Sequence, residues 1–182
     1  MELARWPELG GRGVRLRAFD ERDVPLVLEA GRDPLVPLIT TVPQGAGRPE
    51  AVGWIERQHR RYLDGVGFSF CIARASDDEA LGQIGLWPRH PDRGRAAIGY
   101  WIGRPHRGAG LVTAALDLLS RWAVTLPGVA RLELYVEPWN EGSWRAAERV
   151  GFVREGLMRR WEVVGGERRD MFMYSLLSDE VG

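Results

Sequence analysis

No lysine occurs anywhere in the 182 residues; every basic side chain other than histidine is an arginine. No side chain can therefore form a Schiff base, and a lysine-dependent phosphate loop is excluded. The one cysteine, Cys71, has no partner for an internal disulfide and rules out a cysteine-rich metal site. His59, His90 and His106 are scattered without ligand spacing, so no metal is expected. No apolar run approaches the roughly 20 residues of a membrane span. The opening MELARWPELGG lacks the basic-then-apolar order of a signal peptide, so a cytoplasmic protein without membrane contact is expected. Acidic and basic residues number 25 each, which argues against nucleic-acid binding through a large basic surface.

What is present fits one globular domain over residues 1–182: 45% hydrophobic and 27% charged residues in a length that buries a real core. VRLRAF (14–19) alternates like a first strand, and DERDVPLVLEAG reads as a short helix stopped at Gly31. The stretch 32–47 carries Pro34, Pro37, Pro43 and glycines and is expected to be a loop forming one wall of a site. A second helix runs from Pro49 to Gly65. Residues 67–75, 80–88 and 95–103 then read as an antiparallel meander. Leu111, Ala114, Ala115, Leu118, Leu119, Trp122 and Ala123 hold the helical register through the next segment. A strand at 130–136 and a short helix from Asn140 to Gly151 follow, and Gly165-Gly166 marks a closing hairpin. The predicted architecture is α/β (α+β): a mixed, mostly antiparallel seven-stranded sheet, about four helices, and one strand–helix–strand crossover over 96–136.

The crossover carries the chemistry. In GRPHRGAGLVTAAL (103–116) a strand stops, glycines follow and a helix begins. The first amides of that helix have no internal acceptor, and the helix dipole favours an anion in front of them. Gly108 and Gly110 keep side chains out of the way, Arg107 offers a guanidinium fork and Thr113 a hydroxyl. A plain solvated turn is the competing reading of the same residues. Further on, in EPWNEGSWRAAERVGF, Asn140 and Ser143 lie three apart at a helix start, at the carboxyl end of the next strand. Capping alone explains them; a ligand lying across the crossover would also meet them.

With these motifs in place the chain resembles the GNAT superfamily of acyl-CoA-dependent N-acyltransferases, most of all its ribosomal-protein N-terminal acetyltransferase (RimJ/RimL-like) branch. The likeness runs from about Val14 to Leu177 and includes VRLRAFDERDV, IGYWI, the glycine loop and WNEGSWRAAERVGF. The family loop, Q/R-x-x-G-x-G/A, is met by Arg107, Gly108, Ala109, Gly110, Leu111 and Val112, the last being larger than the pattern asks.

The resemblance implies that acetyl-CoA is the co-substrate. Its diphosphate would rest on residues 107–113 and its pantetheine arm would run along the strand near Trp101 and Ile102. Ser143 would meet the departing thiolate, and Asn140 would hold the arm and the strand break. The acceptor would be a peptide or small-molecule amine, and the protein a monomer or homodimer. Many relatives carry an acid immediately before IGYW, where this chain has Ala97. Glu137 is the best local substitute as general base, with Glu133 and His90 behind it, and water alone can serve an α-amine. A non-catalytic acyl-CoA-binding protein and a dinucleotide-binding oxidoreductase module are the alternatives. Cys71 is expected to be a buried thiol, an acetyl-cysteine route being the sharper option.

Overall fold

The computed structural model describes residues 6–182. Its eight-stranded sheet has the spatial order β1-β2-β3-β4-β5-β6-β8-β7. The strands are β1 (Leu9–Gly11), β2 (Val14–Arg17), β3 (Phe68–Arg74), β4 (Ala80–His90), β5 (Arg95–Ile102), β6 (Arg131–Val136), β7 (Val153–Val164) and β8 (Glu167–Leu177). Every pairing is antiparallel except β5 with β6. That exception follows from the helix between them, because a parallel neighbour needs a crossover. The helices are α1 (Val24–Ala30), α2 (Val36–Ile39), α3 (Arg48–Leu63), α4 (Leu111–Ala123) and α5 (Glu141–Val150).

Side-chain alternation sends each strand's residues to one of two cores. One face buries Leu16, Phe70, Ile72, Ile84, Leu86, Ile98, Leu132 and Leu134 under α4 and α5, with Ala115, Leu116 and Leu119 of α4 completely covered. The other buries Cys71, Ala73 and Trp101 beneath α1 and α3, where Val27, Ala51, Trp54 and Ile55 meet them. The second core is tied to the sheet by Arg17, whose buried guanidinium donates to both oxygens of Asp23 at 2.7 and 2.9 Å.

The structure differs from the sequence expectation in three places. An eighth strand, β1, pairs with β2 through a tight turn at Arg12 and Gly13, both at positive φ. Its residues, LGG, have no periodicity to betray a strand. The proline-rich segment contains a fifth helix, the short α2, whose entry is held by Asp33, two residues before its N-cap, accepting from the amides of Leu35 and Val36. β7 begins immediately after α5, so the last hairpin is longer than its Gly165-Gly166 centre suggests.

Candidate active site

β5 and β6 pair only at Arg95–Arg131, Ala96–Leu132 and Ala97–Glu133. Beyond Ala97 they part, and from Ile98 onward that edge of β5 has no strand beside it. A cavity of about 1080 Å³ opens through the gap. Ile98 and Tyr100 line it from the α4 face of the sheet, and Ala97, Gly99 and Trp101 from the α3 face, so it reaches both sides. Glu137, Asn140 and Ser143, from the end of β6 and the start of α5, line the same space.

The glycine loop stands at the mouth of α4. Gly108 has φ 82° and Gly110 φ 74°, the left-handed region that favours glycine. Gly110 is the N-cap and supplies no side-chain acceptor. None of the amides from Gly108 to Thr113 donates to an acceptor among the described residues; the first helical bond is Ala114 N–H to the Gly110 carbonyl at 3.2 Å. Bare amides at a helix start, with open space above both glycines, fit a diphosphate. The residues present therefore suit the nucleotide of acetyl-CoA.

Arg107 departs from the expected free fork. Its Nε donates to the Ile102 carbonyl at 3.0 Å, and one amino group donates to Asp33 at 2.7 Å. Only the remaining part of the guanidinium is available to a phosphate. Asp33 is buried; burial works to raise its carboxyl, but the Leu35 and Val36 amides and Arg107 outweigh it and hold the group below the usual carboxylate range. The Ile102 carbonyl being occupied, the open edge of β5 for an extended ligand is Ile98–Trp101. The Trp101 side chain points into the α3 core, 6.4 Å from Trp54, so only its backbone can meet the co-substrate.

Asn140 caps α5 as expected, its Oδ1 accepting from the Ser143 amide at 3.3 Å. Ser143 also has a partner that the sequence reading missed: the Tyr100 hydroxyl, 2.8 Å from its Oγ and 3.3 Å from its carbonyl oxygen. Burial pushes Tyr100 up to about 12, so it is a neutral phenol. Alternation along IGYWI places Tyr100 with Ile98 and Ile102 under the helices, where a hydroxyl needs a partner. That was the available signal.

Glu133 has to be struck from the candidate bases. It is completely buried and accepts from Arg95 at 2.7 and 3.0 Å, Arg131 at 2.9 Å and Tyr135 at 3.0 Å. Burial alone would raise its carboxyl; these hydrogen bonds prevail and hold it low, an ionised structural anion. Glu137 is different: it faces the cavity, with Arg169 3.9 Å away as its nearest cation. His90 also lines the cavity, but at its other end, exposed at the end of β4 opposite Arg95. Cys71 is buried, does not line the cavity, and burial pushes its thiol well up, so an acetyl-cysteine has no thiolate to start from. No cluster of metal-ligating side chains occurs among the described residues. No helix among them is long and apolar enough to cross a membrane.

The α3 side of the cavity is aromatic and sulfur-rich. Gly85 and Gly99 face each other across β4 and β5, and the Trp87 ring lies over both, where a Cβ on Gly85 would collide with it. Opposite, β7 carries extra residues between Met158 and Glu162, with Arg160 at φ 51° and its amide donating to Asp170 at 2.7 Å. This bulge turns Trp161 onto Tyr135, the rings stacked 5.9 Å apart and 15° from parallel. Met158, Met171 and Met173 complete that wall.

Comparison with known proteins agrees with this geometry. The model of the acetyltransferase (GNAT) domain matches residues 14–153. An uncharacterized N-acetyltransferase, p20, of Bacillus licheniformis is 30% identical over 92% of this chain and 94% of its own. The ribosomal-protein-serine acetyltransferase of Escherichia coli is 28% identical over 62% of this chain and 64% of its own. Among solved structures, Mycobacterium smegmatis RimJ in complex with CoA-disulfide superposes with TM-score 0.79 at 26% identity, covering 96% of this chain and 88% of that one. A sheet parted beside a bare helix N-terminus, and a family match spanning most of the chain, lead to one statement: the chain belongs to the GNAT acetyltransferases, enzymes that use acetyl-CoA.

Proposed function

We propose that this acetyltransferase moves the acetyl group of acetyl-CoA onto a primary amine, by direct attack within one ternary complex. The amine is that of a protein N-terminus or a small molecule. The observation that carries the reading is the cavity opening through the parted β5 and β6, which lets two ligands meet from opposite faces of one sheet. The chain then acts as a single domain over residues 1–182, in the cytoplasm.

Acetyl-CoA supplies an activated thioester carbonyl. The amides of Gly108, Ala109, Gly110, Val112 and Thr113 hold its diphosphate, with the free part of Arg107 beside them. The Ile98–Trp101 edge of β5 offers backbone groups to the arm and an N–H to the carbonyl oxygen as charge develops there. Ser143, held by Asn140 and Tyr100, donates a hydrogen bond to the leaving sulfur. An attacking amine has an unperturbed pKa of about 8 at a chain terminus or about 10.4 on an alkyl chain, so it must lose a proton first. Glu137 is the carboxylate the cavity offers for that proton, passing it to solvent. Holding both reactants in register supplies much of the remaining acceleration.

Thiol release from acetyl-CoA over a panel of free-N-terminus peptides and small amines, with mass spectrometry of the products, tests the reading. Ser143→Ala is expected to lower kcat with little change in acetyl-CoA affinity. Calorimetry showing no association with acetyl-CoA, or thiol release without any acetylated amine, overturns it.

A further inference from the structure

The arginines lining the cavity fall into two kinds. Arg95 is spent on Glu133, gripping it through two hydrogen bonds. Arg61 and Arg89 line the same space, and neither has a carboxylate within ion-pair distance among the described residues. Arg61 sits half-buried in the last turn of α3. Its carbonyl accepts from Val66, which turns the chain into Gly67 against the Trp87 ring, where an added Cβ would stand 2.9 Å from Cδ1. Arg89, the extra residue where β4 bulges between Pro88 and His90, lines the same cavity as Trp87. Arg61, Trp87 and Arg89 all contribute to the wall of this one cavity.

That wall has donors and no acceptor. The Trp87 indole N–H, like that of Trp101, is buried without a hydrogen-bond partner among the described residues. The positive charge also reaches across the cavity. Burial and Glu133 push the Tyr135 phenol up, while Arg95 and Arg89 act against them, so Arg89 is felt at the ring stacked on Trp161.

We propose that this wall is an anion subsite and that the acceptor is a peptide carrying a carboxylate a few residues from its amine. The inference rests on the amine-acceptor reading above. Spacing selects a peptide over a small amino acid. Arg89 lies between Pro88 and His90, which face Ala96 and Arg95 of β5, and these in turn pair with Leu132 and Arg131 of β6. Glu137, where the amine is received, lies five residues further along the chain from Leu132, about 17 Å at 3.3 Å per residue, part of which the extended arginine and glutamate side chains span. An extended chain with its amine at Glu137 brings its third or fourth residue to Arg61 and Arg89.

The test uses the matched peptides Ser-Ala-Glu-Glu-Ala and Ser-Ala-Gln-Gln-Ala, and a small pair, β-alanine and β-alaninamide. Binding is measured by calorimetry in the presence of CoA, and kcat/KM by thiol release. The acidic peptide is expected to bind at least tenfold tighter than its neutral twin. Added salt should shrink that ratio, and it should collapse towards one in an Arg61→Gln, Arg89→Gln double variant whose melting temperature shows it folded. Discrimination in the small pair alone would keep the anion subsite and overturn the peptide. Equal binding within both pairs, binding of neither peptide, or a preference that survives in the double variant overturns the inference. The two readings fail separately: turnover of both peptides without discrimination leaves the transferase standing, whereas charge-selective binding without thiol release leaves the subsite and sinks the transferase.

Discussion

The Tyr100 hydroxyl lies 2.8 Å from Ser143 Oγ, and this contact decides which way the serine proton points. The phenol has one proton and two acceptors on Ser143, Oγ and the carbonyl oxygen at 3.3 Å; given to Oγ, the nearer, it leaves the serine O–H to donate into the open cavity. A neutral phenol pushed up to about 12 is a firm donor and a poor acid, so it orients Ser143 without surrendering its own proton.

Tyr100→Phe should therefore lower kcat by about tenfold, the upper end of what one neutral hydrogen bond is worth. The KM for acetyl-CoA should hardly move. Ser143→Ala should cost more, and the double variant should be no slower than Ser143→Ala alone, because the two groups act as one unit. Steady-state kinetics on the three variants checks this. Additive losses would mean that Tyr100 works by another route.

A second relationship spans the two ligand sides. Asp33 accepts from the Leu35 and Val36 amides at the start of α2, proposed to wall the acceptor side, and holds Arg107 of the glycine loop at 2.7 Å. Asp33→Ala removes both at once and should lower the melting temperature, since loss of a capping acceptor alone costs about 1 kcal/mol. Its KM values for acetyl-CoA and for the acceptor should both rise. Asp33→Asn keeps an oxygen for the α2 amides but gives up the charge, so it should preserve stability better than it preserves acetyl-CoA affinity. Equal losses in the two variants would show that the ion pair does nothing beyond the cap.

What could be read from sequence was whatever is local. The apolar register of α4, the Asn140 cap, Gly151 after α5 and the Gly165-Gly166 hairpin each lie within one stretch of chain, and the structure has them there. The site is made of pairs far apart in sequence. Arg107 reads as a free phosphate fork until Asp33, 74 positions away, takes it. Glu133 reads as the exposed partner in an alternating strand until Arg95, 38 positions away, and the neighbouring strands bury it. Trp87 gives no sign of its role because the glycines beneath it, Gly85 and Gly99, meet only once β4 and β5 pair.

The Glu133–Glu155 cluster sets the acid limit of the fold. Arg131 reaches both carboxylates, and its hydrogen bonds, with that of Ser175, pull Glu155 down to about 2. A carboxylate depressed in the folded state stabilises the fold above its unfolded value, about 4.3, and loses that contribution as pH falls towards the folded value. Melting temperature should hold at neutral pH and drop between about pH 4.5 and 2. Glu155→Gln should flatten part of that drop, by an amount kept small by solvent around this half-exposed group. Glu133→Gln should be far more damaging at neutral pH. It leaves Arg95 and Arg131 short of a buried partner, at a cost towards the lower end of about 3–5 kcal/mol because Arg95 is partly solvated.

Trp87 offers a way to change the acceptor side without touching the co-substrate side. Its ring fits only because Gly85 and Gly99 have no side chains there. Gly85→Ala puts a methyl where the ring lies and also within 2.8 Å of the Phe68 carbonyl, so the indole must lift away from the sheet into the cavity. The Gly108–Thr113 amides and the Ser143–Tyr100 pair belong to the opposite face and should keep their places. Gly85→Ala should accordingly raise the acceptor KM severalfold and leave the KM for acetyl-CoA near the parent value, at a stability loss of about 1–3 kcal/mol. At Gly99 the same methyl would stand 3.3 Å from Cζ3, a milder contact, and Gly99→Ala should show a smaller rise of the same kind. If both variants instead weakened acetyl-CoA and acceptor in proportion, the two sides of the parted strands would not be separable, and Trp87 would have to be counted part of the scaffold that holds β5 open.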